Sequence, residues 1–193
     1  MTSISGGFTA WFTGLPSAGK TTVSGLVASE LARRGTLVEH LDGDVVRAML
    51  SRGLGFSKED RDTNVERIGW VASRLTRAGA AVLVSAISPY EAVRARVRSM
   101  VEEHGVFLEI FVDAPVETCI ERDPKGLYAR ALAGELSHFT GVSDPYEQPR
   151  TPELVLRTDR ERPEDSARRV LRELEARGLA SGHTQAALRL VPD

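Results

Sequence analysis

The chain of 193 residues has one cysteine, few lysines and no long apolar segment. Its single cysteine, Cys119, excludes a disulfide framework and a zinc site built from several cysteines. No apolar run approaches the roughly 20 residues that span a bilayer. The first residues also lack the basic and apolar regions of a secretory signal. We therefore expect a cytoplasmic protein with no membrane partner.

The charge and composition of the chain are those of an ordinary globular protein. Hydrophobic residues make up 41% of the sequence and the net charge is only -2, which excludes an intrinsically disordered chain. A charge this small gives no electrostatic basis for binding nucleic acid. The length fits a single domain over residues 1–193.

Lysine is scarce although basic residues are not. Of 25 basic residues only three are lysine, Lys20, Lys58 and Lys125, and the rest are arginine. A genomic preference for arginine codons explains the bias. Because ammonium and guanidinium groups bind phosphate in different ways, the positions that keep lysine are candidates for a specific role. The four histidines show no metal-ligand spacing.

Strand and helix patterns alternate along the chain. The predicted strands are Phe8–Thr13, Leu37–Leu41, Ala81–Ile87, Phe107–Val112 and Glu153–Arg157. The predicted helices are Lys20–Arg34, Asn64–Arg77, Tyr90–Glu103 and Pro163–Arg177. This alternation predicts an α/β fold of three layers, with a mostly parallel sheet between helices. Residues 122–150 are rich in glycine and proline and predict a lid without clear elements, and residues 180–193 predict a loose tail.

The strongest motif is the segment GLPSAGKT at residues 14–21, which matches the phosphate-binding pattern G-x-x-x-x-G-K-[ST]. A predicted strand precedes it and a predicted helix follows it, as that pattern requires. Backbone N–H groups and the helix N-terminus bind phosphate oxygens, Lys20 reaches the β- and γ-phosphates and Thr21 binds Mg²⁺. The alternative is a glycine-rich turn with an incidental lysine. The predicted ATP site comprises Gly14, Leu15, Pro16, Ser17, Ala18, Gly19, Lys20, Thr21 and Thr22.

Two carboxylates, Asp42 and Asp44, directly follow the second predicted strand. Ligands of parallel sheets bind at the carboxyl ends of the strands. Carboxylates at that position can orient a hydroxyl nucleophile and hold Mg²⁺. The alternative for Asp44 is an N-cap of a helix that begins near Val45.

Three further residues each leave two interpretations open, and one further pair of residues predicts a helix cap. Phe56 suits either the core or a stacking platform for a base. Ser57 and Asp60 have the spacing of a capping box. Ser88 follows the buried third strand and suits either a helix cap or the site. Lys125 suits either a lid that closes over phosphates or a solvated loop.

The ordered series of motifs resembles the adenylylsulfate kinase (APS kinase) family of the P-loop kinase superfamily. The resemblance covers Phe8 to Leu179 and is carried by Gly14–Thr21, Asp42–Asp44, Gly55–Ser57, Glu59–Arg61, Ile87–Tyr90, Asp123–Tyr128, Phe139–Gly141 and Pro145–Glu147. It implies transfer of the γ-phosphoryl group of MgATP to the 3′-hydroxyl of adenylylsulfate. The products are 3′-phosphoadenylylsulfate (PAPS) and ADP, formed in sulfate assimilation.

The resemblance also implies a role for each motif. Phe56 and Phe139 would enclose the adenine of adenylylsulfate, and Asp44 would orient its 3′-hydroxyl. Ser88 matches a serine described in bacterial members as a phosphoserine intermediate. Because phosphoryl transfer to a hydroxyl needs little beyond in-line positioning and charge stabilisation, we expect instead a direct transfer with Ser88 as a positioning donor. The implied catalytic residues are Lys20, Asp42, Asp44 and Ser88, and the implied Mg²⁺ ligands are Thr21 and Asp42. The implied substrate contacts are Asp44, Arg47, Phe56, Arg61, Asn64, Ile87, Ser88, Pro89, Lys125, Gly126, Leu127 and Phe139.

The family resemblance further implies a homodimer and functional coupling to a separate ATP sulfurylase. Two alternatives remain open. The first is a P-loop kinase of another small hydroxylated or nucleotide metabolite. The second is a regulatory subunit that binds ATP without turnover, against which the intact set Lys20, Thr21, Asp42, Asp44 and Ser88 argues.

Overall fold

Five parallel strands form the centre of the computed structural model, which describes residues 6–180. The strands are β1 (Phe8–Thr13), β2 (Val38–Asp42), β3 (Ala81–Ser85), β4 (Val106–Asp113) and β5 (Leu154–Arg157). They lie in the order β2-β3-β1-β4-β5, and every pairing is parallel. Because the strands are parallel, all their carboxyl ends meet at one edge of the sheet, which we call the working edge.

Helices cover both faces of this sheet. Within the described residues they are α1 (Lys20–Arg33), α2 (Gly43–Leu50), α3 (Lys58–Arg77), α4 (Glu91–Glu102), α5 (Val116–Arg122), α6 (Leu127–Leu132) and α7 (Pro163–Ala176). Residues of α1 and α7 pack in the core on one face, and residues of α3 and α4 pack on the other. The predicted three-layer α/β fold is confirmed.

The central strand β1 contributes to both cores because its side chains alternate between the two faces. Ala10 and Phe12 belong to the core under α1 and α7, whereas Trp11 belongs to the core under α3 and α4. All six residues of β1 are buried, as expected of a parallel strand covered on both sides. The Trp11 ring lies 6.1 Å from that of Phe107, centroid to centroid.

Helix α3 begins at Lys58, whereas the apolar pattern predicted its start at Asn64. The hydroxyl of Ser57 accepts a hydrogen bond from the backbone N–H of Asp60 at 3.1 Å, which confirms that Ser57 caps the helix. The Asp60 carboxylate accepts from the N–H of Gly55 at 2.9 Å. The first turns carry mostly polar residues, so hydrophobic periodicity alone did not reveal them.

The expectation of a lid without elements was wrong for part of residues 122–150, which contain α6. Gly126 precedes this helix in the left-handed conformation, with φ of 65°. A helix of six residues is too short to show a periodic apolar pattern. Of the predicted loose tail, all but Ala180 lies outside the described residues, and the single-domain assignment of residues 1–193 stays a prediction. In residues 6–180 no helix has both the length and the apolar character needed to cross a bilayer.

Candidate active site

A cavity of about 1060 Å³ lies at the working edge, between the phosphate-binding loop, α2, the end of β3 and the lid. Most of the predicted site residues line it: Pro16, Ser17, Gly19, Lys20, Thr21, Thr22, Asp42, Asp44, Arg47, Phe56, Arg61, Asn64, Ile87, Ser88, Pro89, Lys125, Leu127 and Phe139. Four predicted residues do not reach the cavity wall: Gly14, Leu15, Ala18 and Gly126. Segments far apart in the sequence therefore converge on one site.

The phosphate-binding loop is held tightly against the sheet. A Cβ atom on Gly14, whose φ is 149°, would lie only 2.4 Å from the carbonyl oxygen of Val112. The Lys20 ammonium donates to the carbonyl oxygens of Gly14 at 3.0 Å and of Leu15 at 2.7 Å. Helix α1 has no side-chain cap after Gly19. Its first N–H groups are therefore available to an anion.

The Lys20 ammonium is buried, and burial lowers its pKa from 10.5 to about 8. The neighbouring Cys119, Asp44 and Asp42 act in the opposite direction and favour the charged form. The group therefore still carries its charge at neutral pH. A preorganised cation in a dry site interacts strongly with a phosphate.

Asp42 connects the phosphate-binding loop to α2. One carboxylate oxygen accepts from the Thr21 hydroxyl at 2.8 Å, and the other accepts from the N–H groups of Asp44 at 3.0 Å and Val45 at 3.4 Å. Asp42 is therefore the N-cap of α2, and the alternative that assigned this cap to Asp44 was wrong. Burial opposes ionisation of Asp42, but these three hydrogen bonds outweigh it and hold its pKa below the usual value.

Thr21 and Asp42 suit a divalent cation that arrives with nucleotide phosphates. Mg²⁺ prefers oxygen ligands and is held by one or two protein groups together with phosphate oxygens and water. A hydroxyl and an ionised carboxylate already in contact match this requirement. Among residues 6–180 there is no cluster of three or more histidine, cysteine, aspartate or glutamate side chains. A tightly bound metal cage of protein ligands is thus absent from this part of the chain.

The Asp44 carboxylate does not cap a helix and points across the cavity. It forms an ion pair with the Lys125 ammonium from the lid. The hydrogen bond that Lys125 donates to Asp44 raises the pKa of Lys125. Both side chains are more than half exposed to solvent, so the pair is easily exchanged for contacts with a ligand.

Two aromatic residues mark the far side of the cavity. The side chain of Phe56 lies outside the core and is 59% exposed, so the core alternative was wrong. The Arg47 guanidinium lies 4.4 Å from its ring centroid. Phe139 packs edge-on against Tyr128, with 5.0 Å between the ring centroids. We call the region between Phe56 and Phe139 the aromatic slot.

Arg61 connects the two loops that carry the aromatic slot. It is only 8% exposed, and its Nε donates to the carbonyl oxygen of Phe56 at 2.9 Å. Its two terminal nitrogens contact the Thr140 hydroxyl and, at 3.2 Å, the Asp144 carboxylate. The backbone N–H of Asp144 returns to the carbonyl oxygen of Phe139 at 3.0 Å. Arg61 therefore fixes the spacing of the slot from one side.

Asn64 lies beside Arg61 on α3 and lines the same cavity. It is buried, and its side-chain oxygen has no hydrogen-bond partner. A buried acceptor without a partner is costly. An N–H or O–H group of a ligand in the cavity would satisfy it.

Ser88 lies three residues after the end of β3 in a left-handed conformation, with φ of 40°. Helix α4 begins after Tyr90 without a side-chain cap, so the interpretation of Ser88 as a cap was wrong. Its hydroxyl accepts from the Trp11 indole N–H at 2.9 Å and donates to Thr13 at 3.1 Å. Arg94 donates to its carbonyl oxygen at 2.8 Å.

Sequence reasoning missed several residues that line the cavity: Arg122, His138, Thr140, Thr158 and Glu161. Arg122 donates to the carbonyl oxygen of Thr158 at 2.5 Å, and the Thr158 hydroxyl donates to that of Ala18 at 2.7 Å. These contacts hold the loop after β5 against the phosphate-binding loop. The sequence signalled only Arg122, which directly precedes the motif that starts at Asp123. The other four residues lie outside the quoted motifs or at positions within them to which no role was assigned.

Comparison with known sequences agrees with this geometry. The family model described as adenylylsulphate kinase matches residues 6–157. An adenylyl-sulfate kinase from Picosynechococcus is 55% identical over 172 residues, which cover 89% of this chain and 96% of that protein. A probable bifunctional SAT/APS kinase from Sorangium cellulosum is 50% identical over 172 residues, which cover 89% of this chain and 29% of the longer protein.

Solved structures give the same result. The Mycobacterium tuberculosis APS kinase in complex with AMPPNP and APS matches with a TM-score of 0.84 and 45% identity, covering 88% of this chain and 98% of that one. The hexameric APS kinase from Thiobacillus denitrificans matches with a TM-score of 0.71 and 38% identity, covering 91% of this chain and 30% of that one. The family model, the relatives and the solved structures agree in sequence and fold, and the chain belongs to the adenylylsulphate kinase family.

Proposed function

We propose that this chain is an adenylyl-sulfate kinase, which transfers the γ-phosphoryl group of MgATP to the 3′-hydroxyl of adenylylsulfate. The observation that carries the proposal is a single cavity with a phosphate-binding loop at one end and an aromatic slot at the other. Asp44 and Ser88 lie in its wall between these two regions. An acceptor that contains a base and a donor that contains a triphosphate are thereby brought together.

The donor end binds ATP through the loop of residues 14–21 and the first turn of α1. Lys20 contacts the β- and γ-phosphates, and Thr21 and Asp42 hold Mg²⁺. The ion brings charge neutralisation and orientation of the phosphate oxygens. Arg122 and Thr158 support the loop from the side of β5.

The acceptor end binds adenylylsulfate through shape and charge. Phe56 and Phe139 enclose the adenine, because aromatic rings stack on either face of a base. Arg47 and Arg61 supply cations near the phosphate–sulfate group. Asn64 offers its unpartnered oxygen to a donor on the nucleoside. The remaining acceptor contacts come from Ile87, Pro89 and residues 125–127 of the lid.

The transfer itself is direct and in line. Asp44 accepts a hydrogen bond from the 3′-hydroxyl, orients that oxygen toward the γ-phosphorus and takes up its proton. The new O–P bond forms as the bond from the γ-phosphorus to the β–γ bridging oxygen breaks, and ADP is the leaving group. The hydroxyl takes the place of Lys125 at the carboxylate, and the released ammonium turns to the phosphates. Lys20 stabilises the negative charge on the transferred group.

We further propose a homodimer that acts in the cytoplasm with Mg²⁺ and couples functionally to a separate ATP sulfurylase. The hexameric relative supports self-association, and the bifunctional SAT/APS relative supports the coupling. Sedimentation velocity over a range of concentrations tests the dimer. A monomer at every concentration would contradict it.

The decisive experiment measures PAPS formation from adenylylsulfate and MgATP by the purified protein. Wild-type protein should form PAPS, whereas Lys20→Ala and Asp44→Asn should lose nearly all activity. An inactive, folded wild type would overturn the proposal. ADP release with a panel of other hydroxylated acceptors would then identify a kinase of another metabolite, and ATP binding without any turnover would identify a regulatory subunit.

A further inference from the structure

A chain of hydrogen bonds lies behind the cavity wall, formed by Ser88 and three residues to which the sequence assigned no role: Trp11, Thr13 and Tyr146. The Trp11 indole N–H contacts the Ser88 hydroxyl at 2.9 Å, and the Ser88 hydroxyl contacts that of Thr13 at 3.1 Å. The Thr13 hydroxyl contacts the Ile87 carbonyl oxygen at 2.7 Å and the Tyr146 hydroxyl at 2.8 Å. The chain thus joins the central strand, the end of β3 and the end of the lid.

The direction of every bond in this chain is fixed by chemistry. An indole N–H only donates and a carbonyl oxygen only accepts. The one proton of Thr13 therefore lies toward Ile87, and the Thr13 oxygen receives the protons of Ser88 and Tyr146. Burial raises the pKa of Tyr146, which keeps that phenol protonated and able to donate.

The Ser88 proton consequently points away from the cavity. Its partners are the Thr13 oxygen and, at 3.3 Å, the carbonyl oxygen of Ala86, both inside the protein. One lone pair of its oxygen receives the Trp11 N–H, and one lone pair remains. Ser88 is therefore presented to a ligand as an acceptor of hydrogen bonds.

The backbone around Ser88 is held in this arrangement by Arg94, which is 3% exposed. Its guanidinium donates to the carbonyl oxygens of Ser88 and Glu147, each at 2.8 Å, and to the Glu109 carboxylate at 2.7 Å. A left-handed serine is strained and persists only where its surroundings enforce it. The same arginine therefore holds Ser88 and the residue next to Tyr146.

The chain also offers no route by which Ser88 could lose its proton. In the described part of the protein, none of the four linked side chains hydrogen-bonds to a carboxylate or an imidazole, and the last acceptor is the Ile87 carbonyl. Attack by a serine on phosphorus forms an O–P bond and must release the hydroxyl proton to a base. The hydrogen-bond chain supplies no such base to Ser88.

We propose that Trp11, Thr13 and Tyr146 are positioning residues that act through Ser88, so that its free lone pair accepts a hydrogen bond from a hydroxyl of the acceptor substrate. The kinetic part of this inference rests on the proposed function. It differs from the sequence expectation of Ser88 as a donor. It also assigns a catalytic consequence to two aromatic residues that never touch substrate.

The kinetic test compares Trp11→Phe and Tyr146→Phe with Ser88→Ala. Loss of one oriented hydrogen bond corresponds to roughly a tenfold fall in kcat, and KM for MgATP should stay within about twofold because the donor end is untouched. The double variant Trp11→Phe/Ser88→Ala should be no slower than Ser88→Ala, since both changes act on one group. Wild-type kcat in the folded single variants, or multiplicative losses in the double variant, would overturn the inference.

Two matched controls separate this role from a general loss of aromatic groups. Trp70→Phe changes an exposed tryptophan. Tyr90→Phe removes a phenol that makes no hydrogen bond within residues 6–180. Both controls should keep wild-type kcat. A fall in kcat as large as that of Trp11→Phe and Tyr146→Phe would contradict a specific action through Ser88.

A second measurement does not depend on activity. The indole N–H of Trp11 gives its own ¹H–¹⁵N resonance, identified by comparison with the Trp70→Phe protein. In Ser88→Ala this resonance should shift and exchange with solvent faster, and in Tyr146→Phe it should shift less. An unchanged resonance would refute the hydrogen-bond chain even if the enzyme were inactive toward adenylylsulfate. Rapid mixing with γ-labelled ATP should show no acid-stable label, and a label on Ser88 would refute the assigned proton direction.

Discussion

The three lysines occupy three different environments. Lys20 is buried in the phosphate-binding loop and hydrogen-bonds to its carbonyl groups. Lys125 pairs with Asp44 across the cavity. Lys58 is half exposed and pairs with Asp62 at 2.8 Å one turn along α3. A compact ammonium therefore lies at the site in two of the three cases.

The buried charge of Lys20 should make stability depend on pH. The folded pKa of about 8 lies below the ordinary value of 10.5, so the unfolded chain binds more protons between these two values. The buried charge therefore lowers the free energy of unfolding at pH 7, and this loss should be recovered as the pH rises from 8 to 10.5. At 1.36 kcal/mol per pKa unit, the gain from pH 7 to pH 9.5 is about 2 kcal/mol.

Urea unfolding of wild type and Lys20→Met at pH 7 and pH 9.5 measures this effect. Other titrating groups are common to both proteins, so they cancel in the difference between their free energies of unfolding. The free energy of unfolding of wild type should increase relative to that of Lys20→Met as the pH rises. A difference that is the same at both pH values would show that burial does not oppose the charge.

Asp144 should control the acceptor end without touching it. It does not line the cavity, but it holds Arg61, and loss of one partner of a largely buried ion pair is costly. Asp144→Asn should raise KM for adenylylsulfate and the dissociation constant of AMP, each by roughly three- to tenfold, because both use the aromatic slot. KM for MgATP should not change. The control is Glu135→Gln, which breaks an exposed ion pair in the lid with Arg130 and should change neither constant. If Asp144→Asn weakens adenylylsulfate but not AMP, Arg61 would instead be assigned to the sulfate of adenylylsulfate.

At the scale of elements, the sequence predicted what depends on apolar periodicity and on local motifs. All five strands were placed within a few residues. The buried strands β1, β3 and β4 show apolar runs, whereas the partly exposed edge strands β2 and β5 were placed by shorter β-prone segments. The short helices α2, α5 and α6 were missed or left indefinite, because six to eight residues give too few repeats of the helical period. The motif residues Lys20 and Asp44 were found because their chemistry is tied to fixed neighbours in the sequence.

Residues that act through long-range contacts were not predictable. Trp11 and Tyr146 meet through Ser88 and Thr13 only after the sheet and the lid have assembled. Trp11 has no local sequence feature that distinguishes it from an ordinary core residue, and Tyr146 lies in the motif Pro145–Glu147 without an assigned role. The same applies to Arg94 on α4, whose three partners lie in separate segments.

The packing of α3 against α4 depends on one glycine. A Cβ atom on Gly69 would lie 2.5 Å from a methyl group of Val97. Gly69→Ala should therefore lower the free energy of unfolding by about 1–3 kcal/mol through overpacking. Gly25 on α1 has no atom within 4 Å of such a Cβ, and Gly25→Ala should raise stability by up to about 1 kcal/mol. Chemical denaturation of both variants measures these changes in the free energy of unfolding. If the two substitutions changed it equally, α3 and α4 would be able to move apart to accept the added methyl group.

At the scale of the whole molecule, nucleotide binding should stabilise the fold through the phosphate-binding loop. At a concentration 100 times the dissociation constant, a ligand that binds only the folded state adds about 2.7 kcal/mol. This amount should raise Tm of a protein of this size by roughly 5–10 °C. MgATP should produce the shift in wild type and not in Lys20→Met. A similar shift in both proteins would place the main nucleotide contacts elsewhere.

The parallel sheet also gives the molecule an edge that takes no part in binding or transfer. The connections before β2 and β3 turn at the amino ends of these strands, and a Cβ atom on Gly35 or Gly79 would meet nothing within 4 Å. Gly7 and Gly105 at the same edge are closely packed against backbone. Gly35 and Gly79 themselves have positive φ, 81° and 90°, so a side chain introduced there would be strained. Their exposed neighbours Leu37 and Ala78 are therefore the places where a fluorophore, a surface tether or a fused carrier enzyme can be attached with the active site facing away from it.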